Sequence, residues 1–171
     1  MTPVSRSLLL LAVLGVAACT SPDRFGGGYG SDGYGDAGYG KDAGAASNPR
    51  SPAYFQQVVG DRVLFIVDQS TLTDTARATL EGQARWLSDN PEFTAIIEGH
   101  ADERGTREYN VALGARRANA VEEFLISRGV SPARLKTVSY GKERPLEICS
   151  EESCYARNRR AVTVVAAGLA G

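Results

Sequence analysis

Residues 53–171 are predicted to form an α/β (α+β) two-layer sandwich, a mixed four-stranded sheet with helices on one face in the order βαβαββ, preceded by a disordered linker. Two observations predict this. Short apolar runs bounded by polar residues alternate with two longer stretches whose apolar residues recur at helical spacing, and those stretches carry start and stop signals at their ends. Strands and helices so ordered close one core as two layers, and roughly 120 residues suffice for one domain.

The first strand is Arg62-Val-Leu-Phe-Ile-Val-Asp68, whose continuous apolar run suggests burial on both faces. Thr73 or Asp74 caps the first helix, Ala76, Leu80, Ala84 and Leu87 form its apolar stripe, and Asn90-Pro91 ends it. Phe93-Thr-Ala-Ile-Ile-Glu98 is the second strand, and Gly99 opens a polar loop. The second helix runs from about Thr106 to Arg128, with Gly129 as its stop. Ser131-Pro132 begins a short turn of helix, Leu135 to Tyr140 the third strand, and Ala161 to Ala166 the fourth.

The sequence ahead of this domain has a different character. Arg6, the apolar run Leu8 to Leu14 and the small residues Val16-Ala17-Ala18 before Cys19 make residues 1–18 a signal peptide. Its apolar core is too short for the roughly 20 residues of a membrane-spanning helix, and no transmembrane helix is expected elsewhere. Because the small residues end on a cysteine, the site resembles a bacterial lipobox, which implies cleavage before Cys19 and lipidation of its thiol. Three acyl chains would hold a protein on a membrane far more firmly than one. Thr20 is not the aspartate that retains many such lipoproteins at the inner membrane, so the outer membrane is expected.

Residues 19–52 are rich in Gly, Tyr, Asp, Ser and Ala, with Gly28-Tyr29-Gly30, Gly33-Tyr34-Gly35 and Gly38-Tyr39-Gly40 at a regular step. Such a composition cannot bury a core and reads as a flexible tether, about 30 Å in mean reach. After Cys19, the remaining cysteines are the close pair Cys149 and Cys154. A local disulfide suits an oxidising compartment, with free thiols as the alternative. Neither a metal site nor a cofactor is expected, since there is one histidine and no second cysteine pair. Within the domain fifteen Lys and Arg oppose sixteen Asp and Glu, which marks no basic field for nucleic acid.

The candidate chemistry gathers after the second strand, in Gly99-His100-Ala101-Asp102-Glu103-Arg104-Gly105 and the helix beyond. Arg117 falls in line with the apolar stripe Leu113, Ala120, Val121 and Phe124, so its guanidinium leans toward the core and needs an acceptor. Asp102 is the nearest in sequence. The two could form a structural ion pair, or grip a zwitterion, the carboxylate taking an ammonium and the guanidinium a carboxylate in a bidentate fork. Catalysis by His100 beside Asp102 and Glu103 is the rival reading. The chain has no G-x-S-x-G elbow and no H-E-x-x-H helix, so an enzyme is not expected, and His100 is expected to pack or hydrogen-bond to order its loop.

Gly99-His-Ala-Asp-Glu-Arg-Gly-Thr106, Tyr109-Asn110, Leu113-Gly114, Arg116-Arg-Ala-Asn-Ala-Val121, Val138-Ser-Tyr-Gly-Lys-Glu143 and Asn158-Arg-Arg-Ala-Val162 together resemble the peptidoglycan-associated lipoproteins of the Tol-Pal system. These belong to the wider class similar to the C-terminal domain of outer membrane protein A. The resemblance implies non-covalent binding of peptidoglycan, with Asp102 and Arg117 holding the amino and carboxylate groups of diaminopimelate in uncrosslinked stem peptides. It implies a contact at Asp68, a pocket shaped by Asn110 and Leu113, and a far wall from Asn158 and Arg160. TolB and TolA are the implied protein partners, and the implied role is tethering the outer membrane to the wall, including during cell division. The chain departs from the family pattern at Val67-Asp68, where Phe-Asp is frequent, at Ser70-Thr71, and in its Cys149 to Cys154 loop.

Overall fold

A computed structural model describes residues 46–148 and 150–168, so the signal peptide, Cys19, the Gly-Tyr repeats and Cys149 lie outside the described residues. The chain enters through a short helix α1 (Pro52–Tyr54), capped by the Ser51 hydroxyl, that continues as a π-helical turn over Phe55–Gly60. Strand β1 (Arg62–Leu64), helix α2 (Asp74–Asp89), strand β2 (Phe93–His100) and helix α3 (Arg107–Ser127) follow. A 3-10 turn (Pro132–Arg134), strand β3 (Leu135–Gly141), helix α4 (Glu152–Asn158) and strand β4 (Arg160–Ala167) complete the domain.

The sheet is mixed and four-stranded, in the order β1-β4-β2-β3, with β4 antiparallel to both neighbours and β2 parallel to β3. The α+β class and the four-stranded mixed sheet are as expected. Helices α2 and α3 pack on the face carrying Ala95 and Ile97, whereas Ile96 and its register partner Val164 on the opposite face stay exposed. Helix starts agree with the capping signals, since the hydroxyls of Thr73 and Thr106 accept from the backbone N–H of Ala76 and Tyr109.

Three elements differ from expectation. Strand β1 is three residues long and lies at the sheet edge, with Leu64, Ile66 and Val67 exposed, so it is not buried on both faces. The apolar run ends instead in a turn, because Asp68 adopts φ 57° and the Gln69 N–H donates to the Ile66 carbonyl. The π-helical turn buries Phe55, whose ring lies 4.9 Å from that of Trp86, itself 5.0 Å from Phe93. The Trp86 indole N–H donates to the Pro49 carbonyl, so ordered packing begins upstream of the expected domain start. Helix α4 was not foreseen: seven residues give no readable apolar periodicity.

One contact fixes the depth of α3. An added Cβ on Gly99 would lie 1.9 Å from the Gly114 carbonyl oxygen, and one on Gly114 would lie 2.4 Å from the Ser139 Oγ. Backbone therefore meets backbone between β2 and α3, and the residues of α3 near this crossing are carried down toward the sheet. Its buried stripe runs Asn110, Leu113, Gly114, Arg117, Ala118, Val121, Phe124 and Leu125, with Ala118 and Leu125 in the core in place of the half-buried Ala120.

Candidate functional site: a two-sign cavity at the strand ends

Arg117 is drawn into the protein by that close crossing, and it is the largest side chain buried without exposure. Its Nε donates to the Gln69 carbonyl at 2.8 Å, Nη1 to the His100 carbonyl at 2.7 Å and Nη2 to the Ile66 carbonyl at 3.2 Å. The guanidinium also stands 5.2 Å from the centroid of the Phe65 ring. These carbonyls come from the turn after β1 and the end of β2, which explains why the apolar run after Leu64 leaves the sheet. Three of five N–H donors are thereby used. The remaining two have no partner among the described residues, one on each terminal nitrogen. Burial, and then Arg159, push the Arg117 pKa down to about 10, against the pull of Asp102 and Asp68, and it stays protonated at neutral pH.

Asp102 is the opposite pole, and of the two alternatives the sequence leaves open, a direct ion pair with Arg117 is not what the structure forms. Its Oδ2 accepts from Arg104 Nη2 at 2.9 Å and from Arg159 Nη1 at 3.1 Å, and its Oδ1 accepts from the Arg104 backbone N–H. Backbone carbonyls take three of the Arg117 donors, while the Asp102 side chain is met by the two other arginines. Burial opposes the charge on Asp102, yet the hydrogen bonds from Arg104 and Arg159 outweigh it and hold its carboxyl below the usual aspartate range.

Between these poles lies a cavity of about 270 Å³, bounded by Val67 and Asp68, by Asp102, Arg104 and Gly105, and by Tyr109, Asn110, Leu113 and Arg117 of α3. Asp68, Asp102, Asn110, Leu113 and Arg117, each singled out from sequence, thus share one site. Asn110 is buried and orders the loop by donating from Nδ2 to the Arg104 carbonyl at 2.7 Å. Tyr109 Oη donates to the Asp68 carboxylate, which joins the turn after β1 to the start of α3. The left-handed backbone at Asp68, tolerated by aspartate better than by branched residues, aims its carboxylate at that hydroxyl.

Asn158 and Arg160 do not line this cavity. The Asn158 Oδ1 accepts from the N–H of Leu146 and Glu147, and its Nδ2 donates to the Glu103 carboxylate and the Glu147 carbonyl, so its amide is spent on the loop before α4. Arg160 donates to the carbonyls of Asn158 and Arg144 and is turned away in the same manner. What sequence reasoning missed is Arg159 between them, almost fully buried and bonded to Phe65 O, Asp102 and Glu152. Strand alternation was the available signal, because neighbours at a strand start point to opposite faces.

His100 is not disposed for catalysis. It is buried beside the ring of Tyr140, 5.6 Å away, and neither ring nitrogen has a hydrogen-bond partner. Burial first, and then Arg160 and Arg144, push its pKa down to about 4, so it is neutral at pH 7 and its 3.7 Å approach to Glu98 is not an ion pair. It packs, but does not order the loop by hydrogen bonds. Cys154 is buried and disulfide-bonded. No helix among the described residues is long and apolar enough to cross a membrane.

Residues 64–159 match the model of the OmpA family. The chain is 45% identical over 158 residues to a peptidoglycan-associated lipoprotein of Mesorhizobium japonicum, an alignment that covers 92% of this chain and 89% of that protein. It is 47% identical to a protein of the same name from Brucella melitensis, covering 95% and 94%. The crystal structure of the peptidoglycan-associated lipoprotein from Burkholderia pseudomallei superposes with a TM-score of 0.63 at 38% identity, covering 70% of this chain and 98% of that one. The C-terminal domain of MotB from Helicobacter pylori, at 21% identity and a TM-score of 0.58, shares the fold.

Proposed function

Because the chain belongs to the OmpA family and is a homologue of the peptidoglycan-associated lipoproteins along most of its length, we propose that it binds peptidoglycan non-covalently, through a zwitterionic group held between Asp102 and Arg117. As a homologue of the peptidoglycan-associated lipoproteins it is a structural lipoprotein and not an enzyme. The observation that carries the site is the buried guanidinium of Arg117, which keeps two N–H donors unused at the wall of a cavity whose other pole is an ionised carboxylate. A buried cation costs free energy that its carbonyl partners only partly return. An incoming carboxylate would complete its shell as a bidentate, charge-assisted pair.

The ligand class is read from two opposite charges lining one cavity. The free end of meso-diaminopimelate in an uncrosslinked stem peptide carries an ammonium and a carboxylate on one carbon, and the cavity, about 270 Å³, has room for that headgroup and for part of its methylene stem. Asp102 takes the ammonium, Arg117 the carboxylate, Leu113 the methylene stem, and Asn110 holds the loop that carries Asp102. Asp68 offers a further acceptor once its bond to Tyr109 opens. Arg117 has no exposed surface in the ligand-free protein, and Tyr109 and Arg104, which line the same cavity, are the side chains proposed to give way on ligand entry.

In the cell, lipid on Cys19 would fix one end in the outer membrane, residues 19–52 would span to the wall, and the domain would dock reversibly there. Tethering raises the local concentration of a weak binder near its target. TolB and TolA are the proposed protein partners, in a system that couples envelope layers during constriction. A Cys149 to Cys154 disulfide would close the loop before α4. Co-sedimentation with purified sacculi tests the wall-binding reading. Wild type is expected in the pellet and folded Asp102→Ala and Arg117→Ala variants in solution; a wild type that stays in solution would favour a protein-only partner.

A further inference from the structure

The ammonium half of the cavity poses a charge problem. Asp102 alone faces two guanidinium groups, Arg104 and Arg159, at 2.9 and 3.1 Å. One carboxylate between two guanidinium groups is a net positive cluster and would repel an ammonium. Glu152, at the start of α4, corrects the balance: its Oε1 lies 2.6 Å from Arg159 Nη2 and its Oε2 lies 3.5 Å from Arg104 Nη2. Each guanidinium that touches Asp102 therefore also touches Glu152.

The two arginines differ in freedom. The side chain of Arg159 is 6% exposed and is held by three partners, including the Phe65 carbonyl, so it is a fixture. The side chain of Arg104 is 48% exposed and already rests near Glu152 and over the Tyr155 ring, 4.8 Å from its centroid. A second resting place for Arg104 thus exists on α4, off Asp102. With Arg104 there, Asp102 has one lone-pair region open, and the two carboxylates Asp102 and Glu152 balance the two guanidinium groups, so the cluster no longer carries the net positive charge that would repel an ammonium.

We infer that Glu152 is a specificity-determining residue of this site: it draws the Arg104 guanidinium off Asp102, neutralises that of Arg159, and so makes the pocket accept an ammonium. The inference rests on the reading of the cavity as a zwitterion site. It gives α4, which touches no ligand, a part in ligand choice.

The test uses the full chain in detergent, with calorimetric titration of a stem tripeptide ending in meso-diaminopimelate, and of the same tripeptide with its terminal amine acetylated. Glu152→Gln is expected to weaken the amine-bearing tripeptide about fivefold, the scale of a partly exposed ion pair. Glu152→Lys should weaken it further, Glu152→Asp should stay near wild type, and the differences should shrink at high salt. Binding of the acetylated tripeptide, weak or absent, should be the same in all four proteins. Loss of α4 alone would lower both tripeptides together and would not sort by charge. Equal affinity of Glu152→Gln and wild type for the amine form, or an equal loss for both forms, overturns the role of Glu152. Failure of wild type to bind either tripeptide overturns the zwitterion reading itself, and this inference with it.

Discussion

Substituting Gly99 by alanine probes the link between packing and function more sharply than any change within the cavity. The new Cβ would stand 1.9 Å from the Gly114 carbonyl oxygen and 2.6 Å from its carbon. Both are backbone atoms of a helix that cannot bend aside locally, so α3 must retreat by roughly 1 Å to reach a tolerable contact. Arg117 lies one turn further along the same helix, and its bonds to three carbonyls are 2.7 to 3.2 Å long. A retreat of that size takes most of them past hydrogen-bonding distance. Overpacking costs about 1–3 kcal/mol, and the weakened guanidinium contacts add about as much again. The expected loss is about 2–6 kcal/mol, read as a fall in the urea midpoint, with peptidoglycan binding lost even in the fraction still folded. A variant that kept wild-type stability and bound sacculi normally would refute the claim that this glycine contact sets the position of Arg117.

Other consequences follow from named groups. His100 has a pKa of about 4 in the folded protein against 6.5 in the unfolded chain, so the unfolded state binds the extra proton between those values. Stability should therefore fall as pH drops from 6.5 to 4, by up to about 3 kcal/mol in total, and urea titrations of His100→Leu should show that slope flattened. Asp102, whose pKa is lowered, adds a further loss only below the ordinary aspartate range. Gln83 is fully buried, donating to the Gly60 carbonyl and accepting from the Thr163 hydroxyl. Gln83→Leu should cost about 2–3 kcal/mol by leaving both without a partner, with Thr163→Val in the same background recovering part of it. Tyr109→Phe, which removes the bond to Asp68, should leave stability within about 0.5 kcal/mol while raising the association rate of the stem tripeptide, measured by stopped flow.

Much of the domain was legible because its signals are local. The caps Thr73 and Thr106, the stop at Gly129 and the apolar spacing of α2 each act within one turn of helix. The site was legible in part for a related reason: Asp102 follows a strand end and Arg117 interrupts an apolar stripe, a pattern that asks for an acceptor. What identified the acceptor is tertiary. The carbonyls of Ile66, Gln69 and His100 converge on Arg117 only after β1 leaves the sheet edge and α3 settles on Gly99. No sequence spacing encodes that meeting. The same holds for Arg159, whose importance comes from its bond across to Asp102 in a loop more than fifty residues earlier, and for Glu152, which meets Arg159 and Arg104 only in the folded domain. The reading of Arg62 to Asp68 as one long strand failed because apolar character marks burial, and here the exposed edge and the turn carry apolar residues too.

The central claim, that one cavity grips the zwitterionic end of a stem peptide, is tested most directly by amide and side-chain NMR of the protein during titration with the diaminopimelate tripeptide. Saturable shifts confined to Asp68, Asp102, Asn110, Leu113 and the guanidinium of Arg117, with the Arg117 Nε–H slowed in exchange, are the expected result. Shifts centred elsewhere, for example on the groove between Leu64 and Thr75 beside β1, or an Arg117 signal that does not move at saturation, would contradict it.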